Sequence, residues 1–238
     1  MPRVLPFPFP FASKANLVPS TRMNLNALIG GLQQYICLVI LLTFHEFAHA
    51  WTASKFGDDT ARSQGRVSLN PIVHMELIGT VVLPLLAIYL GSTGSSLSGF
   101  IIGWGKPVPV DLRNLHNRRL ADNVISMAGP AMNLLLALGL MILAKGFEVA
   151  RLAGMVEFFL LATYISLILC FFNLIPVPPL DGSHVLKNTI RMSETTYWNL
   201  CRYGFIIVII VIQIPLVRAA LGGATSGTLY AMARLVHL

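Results

Sequence analysis

Charge is what this sequence has least of. Only 11% of its 238 residues are Asp, Glu, Lys or Arg, 55% are hydrophobic, and the mean hydropathy is +0.71. Soluble domains carry about 25% charged residues, so water on all sides is excluded and the composition points to an integral membrane protein. Cysteine is scarce as well. Cys37, Cys170 and Cys201 are odd in number, far apart and set in or beside apolar runs. This excludes a disulfide framework and a CxxC metal site and leaves them as small buried hydrophobes. Acidic residues number 10 against 17 basic ones. The net charge of +7 does not imply nucleic acid, because the basic residues are scattered between apolar runs rather than clustered with aromatics, as in the loops of membrane proteins. No nucleic-acid partner is expected. Internal repeats and low-complexity tracts are also missing.

The first 24 residues, with Pro2, Pro6, Pro8 and Pro10 and no unbroken apolar core, resemble neither a signal peptide nor a membrane span. They read as an irregular tail ahead of a single membrane-embedded domain over 25–238. What that domain has in abundance is apolar runs of spanning length. Core helices are expected over about 25–56, 77–91, 120–145 and 156–176, with an accessory helix over about 199–221. The run from Leu77 to Leu90 is short and contains Pro84, which suits a re-entrant helix as well as a span. Beyond it a Gly/Ser stretch leads into "FIIGWGKPVPV", where Pro107 and Pro109 favour extended backbone. No charge occurs between Glu76 and Lys106, so a helix, a turn and an extended return would bring the chain back to the side it left. The fold class is an all-α polytopic membrane protein of about five to six transmembrane or re-entrant helices, with a short membrane-associated extended or β segment near 100–110.

If 77–105 returns and the other long runs cross, the loops 53–76, 104–122 and 182–202 share one face. They carry ten of the 17 basic residues, and the positive-inside rule makes that face cytoplasmic. The lipid bilayer, in a cell membrane, is thus the expected surroundings. The end of the first span carrying "HEFAH" and the end of the fourth carrying "LDG" then lie together near the cytoplasmic face.

Within "CLVILLTFHEFAHAWTA", residues 37–53, an apolar helix places His45, Glu46 and His49 without leaving its register. His45 and His49 are one turn apart, so both imidazoles can reach one metal ion, and Glu46 sits on the flank. This is the HExxH pattern, in which two imidazoles hold zinc and the glutamate takes a proton from water. Ionisable groups in hydrocarbon cost a few kcal/mol each and mark function, so chance is a poor account of all three. Catalytic zinc generally has three protein ligands. Candidates for the third are His74, Glu76, His116, Asp181, His184 and His237. Asp181 is the strongest, because it follows a span in "NLIPVPPLDGSHV", where three prolines prevent the helix from finishing and leave a carboxylate on unwound backbone.

Four ordered stretches together resemble the site-2 proteases, the intramembrane zinc metalloproteases of peptidase family M50, in a compact form without PDZ or CBS domains. They are HEFAH at 45–49, GWGKPVPV at 103–110, GPAMN at 129–133 and NLIPVPPLDG at 173–182, and the likeness runs from about Ile29 to Asn188. The resemblance implies one Zn2+ per chain held by His45, His49 and Asp181, with Glu46 as the catalytic base. It also implies that Gly129 and Asn133 lie near the substrate and that Asn173 orients substrate or the oxyanion. From the residues alone, Asn133 is either interhelical glue or a substrate contact. The implied activity is hydrolysis of peptide bonds in or near the transmembrane segment of a membrane-protein substrate. A metal-ion transporter and a non-catalytic scaffold are the alternatives. The sequence does not specify the substrate or the oligomeric state.

Overall fold

The structure is a computed structural model that describes residues 24–93 and 103–238. The expected N-terminal tail therefore lies, except for Asn24, outside the described residues, as do the first residues of the expected segment near 100–110.

Helix α1, Leu25–Lys55, begins where the Asn24 side chain accepts from the Ala27 N–H and runs unbroken through HEFAH. Short α2, Thr60–Ser63, follows. A π-helical turn, Leu77–Val82, then feeds α3, Leu83–Ser92, which carries Pro84 in its first turn, where a helix tolerates proline best. The two longest apolar partners of α1 are α4, Arg118–Val149, and α5, Ala153–Asn173. By length and composition α1, α4 and α5 can each cross a bilayer. Next come α6, Gly182–Thr189, α7, Glu194–Arg202, α8, Gly204–Gln213, and α9, Pro215–Leu235. The architecture is all-α and polytopic.

Small residues let the central helices approach closely. Cys37 and Leu41 of α1 meet Ala162 of α5, and Ala137, Met141 and Ala144 of α4 pack with Leu160, Leu167 and Met232. The outer faces are apolar too. Leu25, Ile29, Ile36 and Ile40 lie along one side of α1, all close to half exposed or more, which suits hydrocarbon as the solvent of that side.

Two expectations meet a different outcome. The accessory helix expected over about 199–221 is three helices. α7 and α8 bend by 70° at Tyr203, and α8 stops at extended Ile214 because the residue before Pro215 is pushed out of the helical region. The extended segment is not a strand among the described residues. It forms one isolated antiparallel bridge, Met75 with Gly105, because Pro107 and Pro109 have no N–H to continue a ladder. Trp104 N–H donates to Gly79 and Lys106 N–H to His74, so Gly103–Lys106 returns beside the start of the turn preceding α3.

Candidate metal centre

Helix α1 delivers His45 and His49 to its inner face, both nearly buried. Asp181 arrives from the far end of the bundle. After α5 ends at Asn173 the chain turns through Pro176, Pro178 and Pro179, and Gly182 makes the return possible: a side chain there would strike the Leu174 carbonyl. An aspartate at a helix N-cap ordinarily accepts from that helix's own N–H groups. Asp181 caps α6 without doing so, and its carboxylate faces α1 instead.

His45 Nε2 lies 3.1 Å from Asp181 Oδ2, His49 Nε2 lies 3.4 Å from Asp181 Oδ1, and the two Nε2 atoms are 3.0 Å apart. Three candidate ligand atoms thus converge on one point, and Asp181 Oδ2 is buried with no hydrogen-bond partner. Gly129 of α4 completes the cradle. A side chain at 129 would strike His49 Nε2 and lie 2.6 Å from His45 Nε2, so only glycine leaves room. The far sides of the rings are also fixed. His49 Nδ1–H donates to the Ile125 carbonyl at 2.7 Å, which leaves Nε2 with a free lone pair. His45 Nδ1 lies 3.1 Å from the Asn133 amide nitrogen, while Asn133 Oδ1 is buried and unpartnered. A half-turn of the amide gives Nδ1–H an acceptor and frees His45 Nε2 likewise. Two lone pairs, a carboxylate and the absence of a side chain at 129 fit a tetrahedral divalent cation.

Glu46, next to His45, is half-buried and presents Oε1 about where a side chain on Gly105 would touch it, at 3.4 Å. Two of the three residues expected near substrate lie against the imidazoles. Asn133 is fully buried against His45, and Gly129 is against both imidazoles. Asn173 donates to the Leu169 carbonyl one turn back in α5. The remaining third-ligand candidates lie elsewhere: His74 bonds to the Ser68 carbonyl and His184 to Asp122.

Sequence reasoning missed two supports. Buried Arg66 donates to the carbonyls of Val73, Lys106 and Pro107, which fastens the returning segment beside Glu46. Burial lowers the Arg66 pKa, and the nearby Glu46 carboxylate opposes that shift. No sequence pattern announces a side chain whose partners are backbone carbonyls. The second is Asp122, buried at the start of α4, which pairs with His184 at 2.8 Å and Lys187 at 2.9 Å. A lone acid followed by a long apolar run was a usable signal for it.

The family model for peptidase family M50 matches residues 143–212, which include Asp181 but not HEFAH. The chain is 37% identical over 189 residues to "Putative zinc metalloprotease YwhC" of Bacillus subtilis, covering 76% of this chain and 80% of that protein. It is 30% identical to "Putative zinc metalloprotease Rip2" of Mycolicibacterium smegmatis, over 73% of this chain and 64% of that protein. Against the protein of the same name in Mycobacterium tuberculosis it is 32% identical, over 64% and 55%. The chain thus spans less than two thirds of the mycobacterial relatives. No solved structure matches it.

Proposed function

The chain belongs to peptidase family M50, the site-2 protease family, and from that premise we propose that it hydrolyses peptide bonds in or near transmembrane segments of other membrane proteins. The observation that carries this reading is the Asp181 carboxylate, which forgoes its own helix to face two imidazoles in a buried pocket. His45, His49 and Asp181 would hold one zinc ion, which when bound lowers the pKa of a water from 15.7 to about 7 and polarises a carbonyl.

The chain's own residues do the rest. Ile125 and Asn133 fix the imidazoles, and Gly129 keeps the space before them clear. Glu46 takes the proton from the attacking water and passes it to the departing amine. Its neighbour Gly105 belongs to the returning segment, whose backbone Arg66 fastens. A peptide bond inside a helix is closed to attack, and pairing along that segment would hold an unwound substrate extended beside Glu46. The ten basic residues on the loops of one face support a cell membrane with the site near its cytoplasmic side.

The test is Glu46→Gln, with the protein reconstituted in vesicles beside a single-span substrate. Cleavage should fall at least about 100-fold, the lower end of what general acid–base catalysis contributes, while one zinc per chain is retained. Full cleavage by that variant would sink the mechanism.

A further inference from the structure

Beside the start of α4 the fold gathers guanidinium groups without pairing them. A cavity of about 460 Å³ opens between that helix start, the α6–α7 turn and the segment near Val110, a size typical of small-molecule sites, which run to about 300–1,000 Å³. Two of the cations lining it are neutralised: Lys187 by Asp122 and Glu194, and Arg113 by Asp111. Arg118, Arg119 and Arg191 are exposed, and among the described residues they form no ion pair.

Two of the three sit where a cation is unfavourable. Arg118 and Arg119 are the first two residues of α4, so their charges oppose the positive end of its dipole. Arg191 follows α6 at φ 55, the left-handed position that commonly closes a helix, where the Met192 N–H donates back to the Lys187 carbonyl. Scattered loop charges need none of these placements. An anion in the cleft would offset the two charges at the helix start and pair with all three guanidinium groups.

The cleft also has a direction. α7 lies at 70° to apolar α8, and Trp198 and Tyr203 are exposed on it, the pattern of a helix lying at the membrane–water boundary with interfacial aromatics. Trp198 lines the cavity, and α8 beyond it exposes Ile206 and Ile210. We propose that this cleft binds the phosphate of an anionic lipid headgroup, with Arg118, Arg119 and Arg191 as its ligands. A free phosphate ion offers the same oxygens, but the mouth at headgroup level and the apolar flank of α8 favour the lipid. If the peptidase reading holds, the lipid bridges α4, which carries Gly129 and Asn133, to α6, which begins after Asp181.

Binding can be read without activity or zinc. The full chain in detergent micelles is titrated by calorimetry with short-chain phosphatidylglycerol, short-chain phosphatidylcholine and inorganic phosphate. Phosphatidylglycerol should bind at least about tenfold more tightly than the other two, and Arg118→Gln/Arg119→Gln/Arg191→Gln should remove that margin, as expected for lost charge-assisted hydrogen bonds. Equal binding of the two lipids, or an undiminished margin in the triple variant, overturns the proposal. Inorganic phosphate binding as tightly as phosphatidylglycerol overturns the lipid assignment. Should the triple variant not fold, Arg191→Gly decides: it should raise the Tm without lipid, because glycine adopts φ 55 freely, while weakening phosphatidylglycerol several-fold. Unchanged affinity in that variant counts against the site.

Discussion

Two aspartates, Asp122 buried and Asp181 partly so, meet histidines at the same end of this bundle, and the contrast between them separates a fastening from a receptacle. Asp122 is complete. Its Oδ1 accepts from His184, and its Oδ2 accepts from Lys187 and Asn188, each at 2.8–2.9 Å. Those three partners all stand on α6, so the cluster locks α6 to α4. Asp181, just before the same α6, faces two imidazoles whose other nitrogens are already engaged, and its Oδ2 has no donor. A buried acceptor without a partner costs about 1–3 kcal/mol. A bound cation would explain its persistence beside two convergent nitrogens, and the Asp122 cluster needs no such explanation.

Exchanging the two losses breaks the comparison most sharply. Asp181→Ala should abolish stoichiometric zinc, read by metal analysis of the purified protein, and leave the Tm of the metal-free form unchanged or raised, since an unpaired carboxylate goes with it. Asp122→Ala should do the opposite. It leaves the Lys187 ammonium, 3% exposed, with the rim contact to Glu194 and the face of the Tyr197 ring, and breaking such a buried pair costs about 3–5 kcal/mol. The Tm should fall by several degrees while the folded fraction still takes up zinc. If Asp181→Ala destabilised the metal-free protein as Asp122→Ala does, the two clusters would be of one kind.

A finer cut lies within the receptacle. Asn133 touches a ligand and not the expected cation, so Asn133→Ala should weaken zinc by about 10–100-fold, the usual loss for an outer-shell partner, as a chelator competition would measure. A change in substrate KM with zinc affinity intact would instead return Asn133 to the substrate contact that the resemblance implies.

Much of this contrast was legible in the residues. HEFAH on an apolar helix and LDG after a proline-broken span predicted which three side chains would meet, because helical spacing and prolines act locally. What was not legible depends on contacts across the bundle. The resemblance to the site-2 proteases implied Gly129 near substrate, and nothing local indicated that a pair of imidazoles packs against that glycine. The segment near 100–110 was expected as extended or β, and its prolines limited it to one bridge. The accessory helix over 199–221 looked continuous because Gly204 is compatible with an apolar run, yet a side chain there would strike Pro179, and the chain bends just before it.

Asp58 supplies the smallest effect and shows that a complete carboxylate can be recognised by its pH response. It is fully buried between α1 and α2 and accepts from the Thr60 N–H and hydroxyl, the Asp111 N–H and the Asn114 amide, tying the loop after α1 to the segment before α4. Burial pushes its pKa up, but these donors outweigh that and hold it below the ordinary carboxylate range. A depressed folded pKa contributes stability that is present above the unfolded value, about 3.9, and is lost as pH falls through the folded one. Asp58→Asn should therefore cost about 1–2 kcal/mol at neutral pH, and the Tm gap from the parent protein should narrow as pH drops below about 4. A gap that stays constant down to the acid limit would mean that Asp58 is held by shape alone, and the rule that satisfied carboxylates are ionised fastenings would then fail at its simplest instance.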